Sequence, residues 1–194
     1  MKLQVIVGST REGRKSLQFS KWIANTAKEN KNLEVEIVDL IDYDLPMFNE
    51  AVSPRYNPER KVEGDVKKFL DKIAEADAYV FVTPEYNHSL SGVLKNALDY
   101  TGYELNKKPA ATATHGSVGG ARAAEHLKMI LSECRAVIVP INLHFNHFIN
   151  GNIDEEGNLI KEMKELQYGP HTTVNTMLGE LVWYAEALKN AREQ

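Results

Sequence analysis

The sequence predicts an α/β domain built on a parallel sheet with helices on both faces. Three observations carry that reading. Short apolar, β-branched runs alternate with stretches of helical periodicity along the whole chain. The strand-like runs lie at Leu3–Val7, Glu34–Leu40, Ala78–Thr83, Ala110–Thr114 and Ala136–Pro140. The first of them stops at Gly8 and turns through hydroxyl and arginine residues, as a strand does when it leads into a helix whose amino end faces an anion. Five strands alternating with five helices give the order 2-1-3-4-5, and 194 residues suffice for one domain spanning 1–194.

The helices follow from spacing. Val66, Phe69, Leu70 and Ile73 fall at i, i+3, i+4 and i+7, which predicts a helix over 65–75. Leu127, Ile130, Leu131 and Cys134 repeat the pattern, and a closing helix from Thr173 turns Met177, Leu181, Tyr184 and Leu188 inward. Two connections are too long to be simple turns. Residues 41–60 contain Pro46, Pro54 and Pro58 and read as an extended surface excursion. Residues 142–170 carry Asn150-Gly151-Asn152 and Glu156-Gly157-Asn158, the signals of a small hairpin. Both segments are expected to serve as a lid or an interface.

Composition narrows the function. The chain is 43% hydrophobic and 26% charged, ordinary for a globular protein, and its net charge of -4 offers no basic face to nucleic acid or an anionic membrane. No apolar run approaches bilayer length, and Met1 leads at once into a strand rather than a signal peptide. The single cysteine, Cys134, excludes an internal disulfide and fits a reducing compartment, so a cytoplasmic protein is expected.

Three loops at strand ends hold the candidate chemistry. The first is Gly8-Ser9-Thr10-Arg11-Glu12-Gly13-Arg14-Lys15-Ser16. A nucleoside-triphosphate loop is excluded because Arg14 shifts the lysine and hydroxyl by one position. A dinucleotide fingerprint lacks a glycine at position 10, although Asp39 ends the second strand where a ribose-binding acid would stand. The terminal phosphate of FMN suits the residue types best, with Ser9, Thr10, Arg11 and Ser16 as its donors. The competing structural reading makes Ser9 or Thr10 a helix cap and leaves Arg11 and Arg14 solvated.

The second loop is Thr83-Pro84-Glu85-Tyr86-Asn87-His88-Ser89. Pro84 fixes an extended entry, Tyr86 can cover a planar heterocycle, and Ser89 or Ser91 can cap the next helix. His88 reads as a local hydrogen-bonding residue. The third loop, 114–122, holds Gly116, Ser117, Gly119 and Gly120, where backbone is approached closely by a ligand or adopts unusual dihedrals.

With these motifs together, the chain resembles the NAD(P)H-dependent FMN reductase family of flavodoxin-like proteins, which includes quinone, azo-dye and chromate reductases. The resemblance runs through GSTREGRKS (8–16), DLPMFNE (44–50), PEYNHSLSGVLKNALDY (84–100) and HGSVGGARAAEHL (115–127), and fades after residue 140. It implies that Ser9, Arg11 and Ser16 hold the flavin phosphate. Pro84, Glu85, Tyr86 and Asn87 would line the isoalloxazine and ribityl chain, and Gly116, Ser117 and Gly120 would meet the pyrimidine side. The family commonly has proline where Ser91 stands, which should alter only how that helix begins. It often has a small residue where His115 stands, which bears on polarity near the ring.

The implied reaction passes a hydride from NADPH or NADH to FMN and then to a small acceptor: flavin, quinone, azo dye or metal oxyanion. It needs no catalytic acid, base or nucleophile. The alternative is a flavodoxin-type carrier without NAD(P)H oxidation, which would be more acidic and better shielded by aromatics. Arg14, Lys15 and Arg122 are candidates for a 2′-phosphate. His144 and His147 lack a third ligand at metal-binding spacing, so no metal is expected. The helix over 92–102 ends in Leu98, Tyr100 and Tyr103, which predicts a homodimer or homotetramer.

Overall fold

The computed structural model describes residues 1–146, 149 and 151–193. His147 and Asn150, of the predicted histidine pair and turn, lie outside the described residues. Strand β1 (Lys2–Val7) leads to helix α1 (Ser16–Ala27), then β2 (Glu34–Asp39), α2 (Gly64–Ala74), β3 (Ala78–Pro84), α3 (Gly92–Asp99), β4 (Pro109–His115) and α4 (Ala121–Glu133). Strands β5 (Val137–Ile138) and β6 (Leu143–Phe145) follow, then helices α5 (Lys161–Lys164) and α6 (Pro170–Arg192). The sheet is parallel in the order β2-β1-β3-β4-β5, as the alternation of runs requires.

The period-two alternation of each strand divides the core. Leu3, Val5, Val80, Val82, Ala111 and Ala113 pack with α1 and α6, whereas Ile6, Tyr79, Phe81 and Ala110 pack with α2, α3 and α4. Strand β4 is buried throughout and its residues 110–114 are all alanine or threonine, so helices on both sides approach it closely. On α6 the buried face is Val174, Met177, Leu178, Leu181 and Ala185; Tyr184 and Leu188 lie at its margin rather than inward.

The fifth strand departs from expectation. It stops at Ile138, and Leu143–Phe145, read from sequence as the start of a loop, is the strand β6 that pairs with the upper half of β4. Pro140 has no amide hydrogen for the ladder, and across the gap the Thr112 hydroxyl donates to Asn142 Oδ1 at 2.7 Å. The predicted hairpin is present around Glu156-Gly157-Asn158. Ile153 bridges Leu159, the Gly157 amide donates to Asp154 O at 3.1 Å, and Gly157 takes φ +81°.

The 41–60 excursion lies along α3. Asn96 Oδ1 accepts the Phe48 amide at 2.8 Å, and its Nδ2 donates to Pro46 O at 2.8 Å and Leu45 O at 3.3 Å. Phe48 meets Tyr100 edge-on at 5.2 Å, and Arg60 bridges Glu50 and the Tyr100 carbonyl. This corrects the argument for assembly from the end of α3. Leu98 and Tyr100 are buried within their own chain, and only Tyr103 is exposed.

Candidate functional site

Beyond β1, Gly8 donates its amide to Val82 O at 2.7 Å, and a Cβ there would meet that oxygen at 2.7 Å and Leu94 Cδ2 at 2.9 Å. Only glycine lets the loop leave between β3 and α3. Helix α1 then begins at Ser16 without a side-chain cap, so neither Ser9 nor Thr10 caps it. The loop amides of Ser9, Thr10, Glu12 and Gly13 have no hydrogen-bond acceptor among the described residues. Arg14 Nη1 is likewise buried without a partner among them. Unpaired donors clustered at a helix amino end make a seat for an anion.

The loop's side chains are partly engaged already. Ser9 Oγ lies 3.2 Å from the Tyr86 hydroxyl and Ser16 Oγ 2.8 Å from His115 Nε2; both serines are buried. Thr10 is half-buried and Arg11 exposed, its guanidinium 5.8 Å above the Tyr86 ring. Arg14 is not solvated: it pairs with Asp39 at 2.5 Å. Asp39 also caps the Ile41 amide at 3.2 Å, and burial pushes its carboxyl up from the ordinary range. Asp39 is thereby engaged and not free for a ribose, Arg14 keeps only its buried Nη1 without a partner among the described residues, and Lys15 is exposed.

The second loop prolongs the β3–β4 ladder, with the Glu85 amide donating to His115 O at 2.8 Å. Tyr86 and Ser89 exchange backbone hydrogen bonds of 2.9 and 3.0 Å around Asn87 at φ 49° and His88 at φ 66°. Positive φ at both central residues is the geometry of a type I′ hairpin turn. Glu85 turns inward, its side chain 8% exposed, and accepts the Arg122 amide at 3.1 Å and Arg122 Nη1 at 2.9 Å. Desolvation opposes its charge, but the Arg122 side chain and the α4 amides outweigh that and hold the carboxyl below the usual range.

Ser91 does more than start a helix. Its Oγ accepts the Leu94 amide at 3.3 Å and also donates to the Gly8 carbonyl, and its amide donates to Thr83 Oγ1 at 3.3 Å. A proline here could not donate, so this serine ties α3 to the first loop and does more than alter how the helix begins.

In the third loop Gly119 and Gly120 adopt φ +76° and +75°. A Cβ on Gly120 would lie 2.7 Å from Thr114 Cβ, and one on Gly119 would lie 3.1 Å from His144 Cβ. Unusual dihedrals and packing thus account for both. At Gly116 a Cβ would meet Glu85 Cβ at 3.3 Å, and Ser117 is exposed beside it. His115 is buried, its ring 5.2 Å from Phe19, and burial pushes its imidazole down to about 4. It faces Ser16 of the first loop.

Strands β1, β3 and β4 are neighbours, so the three loops open at one edge of the sheet and touch one another through Ser9–Tyr86, Ser16–His115 and Glu85–Arg122. Every predicted site residue lies on these loops, at the end of β3 or at the first turn of α1. The sequence profile of the NADPH-dependent FMN reductase family matches residues 1–149. The chain belongs to that family. An NAD(P)H-dependent FMN reductase of Schizosaccharomyces pombe is 32% identical, over 86% of this chain and 85% of its own. A quinone reductase of Escherichia coli K12 is 28% identical over 98% of both chains. Among solved structures, a flavoenzyme NAD(P)H:(acceptor) oxidoreductase from Paracoccus denitrificans superimposes with a TM-score of 0.71 at 24% identity, covering 97% of each chain.

This FMN reductase is therefore an NAD(P)H-dependent oxidoreductase. Among its described residues no cluster of histidine, cysteine and carboxylate side chains could hold a metal, and His144 instead meets Thr114 Oγ1 at 3.1 Å. No described helix is long and apolar enough to cross a membrane. Sequence reasoning missed the Ser91 tie and the His126–Ser89 contact of 3.0 Å, which joins α4 to the hairpin. Neither carries a spacing signal, because each links residues far apart in the sequence and on different elements.

Proposed function

We propose that residues 1–194 form one flavin-binding domain in which these three loops hold FMN for hydride exchange between NAD(P)H and a small oxidised acceptor. The observation that carries this is the row of unpaired amides beyond β1, set beside two loops that interlock at the same sheet edge. The unpaired amides of Ser9, Thr10, Glu12 and Gly13, with the side chains of Ser9, Thr10, Arg11 and Ser16, would take the phosphate. Pro84, Glu85, Tyr86 and Asn87 would border the ring and ribityl chain through the hairpin backbone. Gly116, Ser117, Gly119 and Gly120 would close the pyrimidine side.

When bound, FMN supplies the two-electron chemistry that side chains cannot. The chain's task is orientation. The type I′ turn fixes the hairpin, and Tyr86 is held between Ser9 and Arg11 so that phosphate grip and ring floor are one unit. No side chain is required to move a proton, and none is assigned as catalytic.

The acceptor class follows the named relatives: a quinone, as for the Escherichia coli protein, an azo dye, as for a Bacillus azoreductase 32% identical to this chain, or free flavin, as for a Lactobacillus flavin reductase subunit. A metal oxyanion is a further candidate, from the resemblance alone. A homodimer or homotetramer is supported by Met129, 64% exposed in a groove between α3 and α4 with Leu90 and Ile130. The cytoplasm is proposed from the lone Cys134. The test is to denature the purified protein and record released FMN absorbance, then follow NADPH oxidation in stopped flow with each acceptor. Colourless protein that cannot be reconstituted with FMN refutes the reading. Light scattering at 21.9 kDa refutes the assembly alone.

A further inference from the structure

The two ring-side loops are joined by a charge pair that the hydride exchange does not itself use. Glu85 belongs to the second loop and Arg122 to the first turn of α4, behind the third. The carboxylate takes both the Arg122 amide and its guanidinium, at 3.1 and 2.9 Å, while the arginine side chain remains half exposed. A helix amino end and a guanidinium are both positive. Without Glu85 they would present an uncompensated positive field beside the neighbouring loops 84–89 and 116–120.

We propose that Glu85 is a positioning residue that sets the redox poise of the flavin by cancelling the charge of Arg122 and the α4 amino end. The inference rests on the reading of these two loops as the ring side of the FMN site. Reduction adds negative charge to the ring, which a nearby cation favours and a nearby carboxylate opposes. Glu85 therefore holds the preference for reduced FMN down, and Arg122 pulls it up. At Gly116 a Cβ would lie 3.3 Å from Glu85 Cβ, so the bare glycine lets the two loops approach closely beside the pair.

The test is spectroelectrochemical titration of the FMN-loaded protein in four forms: wild type, Glu85→Gln, Arg122→Leu and the double variant. Glutamine retains the shape and an acceptor oxygen for the Arg122 amide but loses the charge. The ratio of affinities for reduced and oxidised FMN should rise by roughly tenfold in Glu85→Gln, the scale of one uncompensated charge at a protein-like dielectric. It should fall in Arg122→Leu and return near wild type in the double variant. Riboflavin should show the same pattern, since the phosphate is not involved.

Variants that hold FMN with unchanged ratios, or that shift in the same direction, overturn the proposal and leave the flavin reading standing. A pure folding role would lower the melting temperature and FMN retention without moving the ratio. Wild-type protein that takes up no FMN overturns both.

Discussion

His115 offers a direct measure of how the site is built, because its burial has a consequence in acid. The imidazole ordinarily titrates at 6.5 and is pushed down to about 4 here by desolvation alone, with no charged partner contributing. Below pH 6.5 the unfolded chain takes up a proton that the folded chain refuses. The unfolded state then binds more protons, so stability falls as pH falls. The effect is absent above about 6.5, grows through the window and is complete near 4. Each pH unit within it is worth about 1.4 kcal/mol, giving a loss of about 3 kcal/mol, a large share of the roughly 5–15 kcal/mol that domains possess.

The assay is urea unfolding of flavin-free protein, followed by the fluorescence of buried Trp22, at steps from pH 7.5 to 4.5. His115→Gln retains a polar group for Ser16 but cannot titrate, so its curve should be flatter by about 2–3 kcal/mol over that range. Carboxylates held low in the fold, such as Glu36, Asp77 and Glu85, also lose their contribution as pH falls through the acid range, but they do so in both proteins and cancel in the difference. Parallel loss of stability in the two proteins would refute the account of His115 as a neutral, buried imidazole.

The glycine turn gives a steric prediction: Gly120→Ala forces a Cβ against Thr114 at positive φ and should lower stability by about 2–3 kcal/mol, seen as a fall in melting temperature. Asn96→Ala strips the 45–48 segment of three hydrogen bonds and should lower stability by about 2 kcal/mol. Limited proteolysis would then cut the excursion faster, and an unchanged cleavage rate would contradict the anchoring role. Ser91→Pro fits the backbone, since φ is already −64°, but removes the cap and the ties to Thr83 in β3 and to Gly8 in the first loop. Urea unfolding should report a loss of about 1–2 kcal/mol, and no loss would mean that the contact with Gly8 carries no energy.

The sheet order and the helical faces were legible along the chain because they arise from periodicity, a local property. Apolar side chains at spacing two or near 3.6 can be buried in only one way once the sheet is parallel. Gly8, Pro84 and the glycines of the third loop were legible for a similar reason, since each marks backbone that other residues cannot follow. The interruption of the fifth strand was half visible in Pro140, but a three-residue strand such as Leu143–Phe145 is too short to show a period. Its pairing is decided by β4.

What tertiary structure alone decided is which polar side chain meets which. Arg14 is committed to Asp39, Arg122 to Glu85, Ser16 to His115 across 99 positions, and Ser91 to Gly8 across 83. The same loops could have been read with every cation free for a ligand. Hydrogen bonds and ion pairs are short-ranged and directional, so their partners are set by where parallel strands end in space. The amino-acid order determined that three polar, glycine-bearing loops follow the strands, and folding determined which of their charges remain available.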